Sequence, residues 1–102
     1  MLVRTLITAA ALLLPAAASA QSFNCRYARF ADEVAICQSP LLSRLDERMS
    51  RIFYETRNDI DGTRDELDAD QDAWLRTRRS CGRDDACIED AYRDRIRELR
   101  AY

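Results

Sequence analysis

Histidine and lysine are both absent from this 102-residue chain, so all 16 of its basic residues are arginine. Without an imidazole, every histidine-dependent triad, proton shuttle and metal site is excluded. Glycine is almost as scarce. Gly62 and Gly82 are the only two, and each lies where a helical pattern stops. Alternating strand patterns, internal repeats and low-complexity segments are missing as well. After the first twenty residues there is no further long apolar run, so nothing later in the chain reads as a membrane span.

The one apolar run that exists reads as an address. Arg4 gives a positive start, Leu6 to Ala18 is too short to span a bilayer, and Ala18-Ser19-Ala20 has the small-x-small pattern of a signal-peptidase site. Residues 1–20 are therefore expected to be a signal peptide, leaving 21–102 as one domain, soluble in a periplasm or secreted. Cys25 stands several residues beyond the cleavage point, so it cannot serve as a lipobox cysteine, and no membrane anchor is expected.

All four cysteines, Cys25, Cys37, Cys81 and Cys87, fall after residue 20. An even number in an exported chain of this size reads as a disulfide framework, which supplements a core that is marginal on its own. Four cysteines allow three pairings. The local one, Cys25 with Cys37 and Cys81 with Cys87, is favoured because each pair brackets a segment that should turn. A zinc site fits poorly, since its ligand pairs sit two to four residues apart and histidine is lacking.

Helix signals are dense. Ser39-Pro40 matches an N-cap followed by proline at the first helical position. Leu42, Leu45, Met49, Ile52, Phe53, Thr56 and Ile60 then recur on one face of a helix of about twenty residues. Thr63 and Glu66 form the pattern of a capping box, followed by a stripe of Leu67, Gln71, Trp74, Leu75 and Arg78. Asp84 or Asp85 can cap a third helix carrying Ile88, Ala91, Tyr92, Ile96 and Leu99. Opposite faces offer supporting pairs, Glu47 with Arg51, Asp72 with Arg76 and Glu89 with Arg93. Asp32 to Cys37 reads as a short helical turn held down by a Cys25–Cys37 bridge. The expected fold is all-α: three antiparallel helices with a disulfide-stapled N-terminal cap.

Chemistry is harder to find. Fifteen arginines against 18 acids give residues 21–102 a net charge of −3, with the two signs interleaved, so a nucleic-acid partner is not expected. With both bridges formed no thiol is free. Paired carboxylates need a cleft to act in, which three short helices scarcely provide, so no catalytic residue is assigned and the chain is read as a non-enzyme. Two acidic stretches can be laid on an EF-hand loop. Around Gly62 the register puts Arg57 at the first ligand position and Asp68, not glutamate, at the last. Around Asp68 to Asp72 it puts Ala73 where glycine is required. No metal or cofactor is expected. Trp74, Tyr54, Phe53 and Tyr92 are spaced as core aromatics. The remaining feature is basic density around the second cysteine pair. There Arg76, Arg78, Arg79 and Arg83 either complement a helix C-terminus or present guanidinium groups to a carboxylate-bearing partner, with Arg78, Arg79 and Arg83 as the binding candidates.

Taken as a set, Phe23-Asn24-Cys25, Glu33 to Cys37, Leu42, Leu45-Asp46 and Tyr54 resemble the opening of the LprI-like lysozyme-inhibitor family. Gln71, Trp74-Leu75, Arg78, Cys81, Cys87, Tyr92, Arg95 and Leu99 continue the pattern in order. The resemblance implies an exported helical domain whose partner is a lysozyme-type peptidoglycan hydrolase. The founding type of the family is a lipoprotein, from which this chain departs by lacking a lipobox. The alternative expectation is a non-catalytic envelope interaction or scaffold module.

Overall fold

The computed structural model describes residues 22–102. The predicted signal peptide, residues 1–20, lies outside them. Four helices make up about three quarters of the described chain: α1 (Ala31–Gln38), α2 (Pro40–Asp59), α3 (Arg64–Ser80) and α4 (Asp85–Arg100), preceded by a single 3-10 turn at Cys25–Tyr27. The fold is all-α, with no strand among the described residues. The segment expected to be a helical turn is a full two-turn helix.

The start of each helix follows from local chemistry, with one exception. The Ser39 side chain accepts from the Leu42 amide at 3.2 Å, and proline follows where its missing N–H is no loss. Of the two candidate caps for α4 it is Asp84 that accepts from the Cys87 amide, at 3.1 Å. At α1, Glu33 reaches back to the amides of Arg29 and Phe30, both at 3.1 Å. The exception is α3. Thr63 occupies the N-cap position, yet its side chain makes no capping bond, so the predicted box with Glu66 does not close. The α2–α3 corner is held instead by arginines. Arg57 grips Asp68 through two hydrogen bonds of 2.9 and 3.1 Å, and Arg64 Nε donates to the Arg57 carbonyl at 2.9 Å. These bonds occupy the first and last positions of the weighed calcium loop with each other.

Gly62 at φ +78° and Gly82 at φ +59° make the two corners in left-handed backbone, which other residues enter only with strain. Successive helices then run antiparallel. Gln71 meets Arg95 and Arg78 meets Tyr92, so α3 descends as α4 rises. α2 and α4 therefore run parallel, and this pair has the most extensive packing in the molecule.

Each apolar stripe read from the sequence lands inside. Leu42, Leu45, Met49 and Phe53 of α2 form one cluster with Leu67 and Trp74 of α3 and Ile88, Tyr92, Ile96 and Leu99 of α4; Ala35 and Ile36 of α1 complete it. Burying each large side chain contributes about 1.5–3 kcal/mol before conformational entropy is subtracted. The Trp74 indole N–H donates to the Ala91 carbonyl at 2.9 Å, which satisfies its one polar atom and ties α3 to α4.

Tyr54 is the exception among the expected core aromatics, at 59% exposed. Adjacent residues on a helix point about 100° apart, and on α2 the core-facing direction falls to Phe53, not Tyr54. Phe53 takes the inside position and meets the Tyr54 ring edge-on, with centroids 5.2 Å apart. Of the three predicted surface pairs, Glu89 with Arg93 forms at 3.3 Å, whereas Glu47–Arg51 and Asp72–Arg76 do not pair.

Both disulfides follow the local pairing. Cys25–Cys37 ties the N-terminal turn to the end of α1, and Cys81–Cys87 closes the α3–α4 corner. No cysteine is free. Among the described residues no helix is long and apolar enough to cross a membrane.

Candidate partner-binding site

The α3–α4 corner is held by covalent, backbone and capping constraints together. Cys81 caps α3, Gly82 supplies the turn, and Asp84 opens α4, all within the Cys81–Cys87 bridge, whose Cα atoms are 5.5 Å apart. The three arginines assigned to this corner meet different fates. Arg78 turns inward and is only 3% exposed, so it is not a surface group and leaves the candidate binding set. Arg79 is exposed but lies flat on Phe30, its guanidinium carbon 3.8 Å from the ring centroid. Arg83 is exposed and makes no ion pair or hydrogen bond among the described residues. It borders a recess of about 340 Å³ together with Ala35, Gln38, Ser39 and Asp85. One corner thus offers a free guanidinium beside a second that is prepositioned on an aromatic ring.

Arg78 is occupied by a buried polar network to which each helix contributes one residue. Its Nε donates to Asp32 Oδ2 of α1 at 2.8 Å, and its Nη1 donates to the Tyr92 hydroxyl of α4 at 3.2 Å. Tyr92 in turn donates to Asp46 Oδ1 of α2 at 2.8 Å, and Asp46 lies 3.6 Å from Arg78 Nη1. Ser22 closes the set from the N-terminal side, donating through its hydroxyl at 2.8 Å and its amide at 2.6 Å to the two Asp46 oxygens. Phe23 and Trp74 face the same guanidinium, with ring centroids 5.4 and 5.6 Å from its central carbon.

The electrostatics are those of a dry site. Burial, and then the neighbouring Asp46 carboxylate, push the Tyr92 phenol far above its ordinary value near 10, so it stays a hydrogen-bond donor. For Arg78 burial acts downward, but Tyr92, Asp32 and Asp46 outweigh it and hold the guanidinium above its ordinary value. Asp32 Oδ1 is buried without a partner. An arrangement of this kind ties the four helices to one another.

A second buried arginine escaped sequence reasoning. Arg95, 3% exposed, donates through Nε to Gln71 at 2.9 Å and through Nη1 to Glu98 at 3.0 Å, while its Nη2 has no partner. The signal available was Gln71, a polar residue on an apolar stripe. Gln71 also donates to Met49 Sδ at 3.3 Å, so it links α2, α3 and α4 at the level below Arg78. Among the described residues no three cysteines or carboxylates gather into a group able to hold a metal ion. No protein-family model, no curated protein and no solved structure matches the chain.

Proposed function

We propose that this chain is exported through its N-terminal signal peptide and acts without catalysis, as a binding protein that inhibits a lysozyme-type peptidoglycan hydrolase. The observation that carries the reading is the stapled corner, where Arg83 stands exposed and unpaired on a loop fixed by a disulfide, a left-handed glycine and a capping aspartate. A loop fixed in advance loses little conformational entropy on binding. Lysozyme clefts carry an acidic catalytic pair, and a guanidinium is the side chain best suited to engage a carboxylate in two places. Two bonded disulfides suit an oxidising compartment such as a periplasm or the extracellular space.

The residues behind the LprI-like resemblance are mostly those that build the interior. Asp46, Arg78 and Tyr92 form the buried network, Gln71 and Arg95 the second one, and Leu42, Leu45, Trp74 and Leu99 the core. The resemblance therefore supports the scaffold most directly, and the inhibitory activity through the scaffold.

The test is a cell-wall turbidity assay with the oxidised protein and lysozymes of more than one type. Slower lysis at micromolar inhibitor is the expected result, and undiminished lysis with every type rules the reading out. Arg83→Ala should weaken inhibition with an unchanged circular dichroism spectrum. Equal inhibition by that variant removes the corner from the binding surface.

A further inference from the structure

The face of the bundle between α3 and α4 is a groove. One cleft of about 500 Å³ is lined by Asp70, Ala73 and Trp74 of α3 and by Asp94, Arg95 and Glu98 of α4. A second, of about 490 Å³, continues it towards the Cys81–Cys87 bridge and shares Thr77, Ala91 and Asp94 with the first. The floor is kept low by small residues, Ala73, Thr77 and Ala91. The α4 rim is a ridge of acids at four-residue steps, Asp90, Asp94 and Glu98, faced across the groove by Asp70. Like charges at that spacing each cost a helix a few tenths of a kcal/mol. Asp94 and Glu98 are tempered by Arg97 and Arg95, and Asp70 accepts from the hydroxyl of Tyr102, which also lines the first cleft, at 2.7 Å, whereas Asp90 meets no cation. Arg95 is 3% exposed, lines the first cleft, and carries the unpartnered Nη2.

We infer that this groove is the docking surface for an extended, cationic segment of a partner protein. Lysine or arginine side chains of that segment pair with Asp70, Asp90 and Asp94, and a shift of the Arg95 side chain towards the floor lets its buried Nη2 meet a backbone carbonyl of the segment. The acidic rim disfavours an anionic ligand, while the length of the joined clefts suits a run of residues more than one small molecule. The inference rests on the preceding proposal for the partner's identity as a hydrolase, but its own content is the chemistry of the segment. It also places the contact beside the stapled corner, because the second cleft reaches Cys81 and Asp84.

The experiment is an amide chemical-shift titration of the oxidised protein with three probes: the peptide Gly-Lys-Gly-Arg-Gly-Lys-Gly, a basic lysozyme, and an N-acetylglucosamine trimer. The peptide and the lysozyme should both shift amides of residues 70–77 and 86–98, with affinity that falls as salt is raised. Asp70→Asn combined with Asp90→Asn and Asp94→Asn should weaken lysozyme binding about tenfold, as three partly screened ion pairs would. Ala73→Arg, at an exposed helix position, should do the same by filling the floor with a like charge, and it serves as the folded control if the triple variant is destabilised. Lysozyme inhibition that survives unchanged in either folded variant overturns the groove and leaves the inhibitor reading intact. Peptide shifts in the groove without any lysozyme inhibition do the reverse. Shifts caused by the sugar and not by the peptide, or by none of the probes, overturn the groove.

Discussion

Arg78 shows how much one side chain can decide in a bundle this small. Its guanidinium meets Asp32 and Tyr92 by hydrogen bonds and Asp46 by charge, in a site where both carboxylates are at most 1% exposed. Removing it would strand two buried negative charges, a far larger penalty than losing a surface pair. Arg78→Met should therefore cost about 3–5 kcal/mol of unfolding free energy, measured by urea denaturation of the oxidised protein. Asp32→Asn is expected to be much milder. It removes one of two negative charges facing a single positive one, keeps an oxygen to accept from Arg78 Nε, and adds an amide donor beside the orphaned position. A loss of less than 1 kcal/mol for Arg78→Met would mean that water enters the site and that the network is not the organising centre described above. Tyr92→Phe tests the middle of the chain of bonds. It strips Asp46 of one donor but leaves the two from Ser22, so its cost should be about 1–3 kcal/mol.

At the scale of the helix, the glycine turns and the caps of α2 and α4 follow the sequence most closely. Gly62 has φ +78°, and a Cβ placed there would meet no atom within 4 Å. Gly62→Ala consequently tests backbone strain alone, and about 1–2 kcal/mol should be lost. Ser39→Ala and Asp84→Ala should each cost about 1 kcal/mol by leaving one helix amide unsatisfied. Thr63→Ala, by contrast, should be nearly neutral, because its side chain makes no capping bond. Equal losses from Thr63→Ala and Ser39→Ala in thermal melts would contradict that geometry. Helix limits, disulfide pairing and the core stripes were legible because each depends on residues close in sequence, the bridged cysteines being 12 and 6 positions apart. Asp32, Asp46 and Arg95 were not. Apart from Glu98, three residues on from Arg95, their partners lie 24 to 46 residues away, and in sequence Asp46 beside Glu47 reads as one more solvated acid. The visible trace was indirect: Gln71 and Arg78 occupied positions on an apolar stripe where leucine was expected. The same reasoning misplaced Arg78 at the surface, since density of arginine near a helix end looks alike whether the side chain points out or in.

For the molecule as a whole, composition sets an unusual response to pH. Lysine and histidine are absent and every cysteine is bridged, so between the carboxylates and the tyrosines only the α-amino group titrates. Two pKa shifts bound that interval. Arg57 holds the Asp68 carboxyl below its ordinary value, so the stability this pair contributes is present at neutral pH and fades as the pH falls through the carboxylate range. At the other end the Tyr92 phenol is held above its unfolded value near 10. The folded chain then keeps a proton that the unfolded chain releases, so the Tyr92 contribution to stability is constant below about pH 9 and declines as the pH rises through 10 and beyond. Tyr102, raised chiefly by its hydrogen bond to Asp70, adds to the same decline. Urea midpoints of the oxidised protein should accordingly form a plateau from about pH 6 to 9, with a falling limb above about pH 10. In Tyr92→Phe the plateau should sit lower but the alkaline limb should be shallower, because the residue that binds the extra proton is gone. A midpoint that drifts by more than a few tenths molar between pH 6 and 8, or an alkaline limb as steep in Tyr92→Phe as in the parent, would show that some other group governs the fold's charge balance.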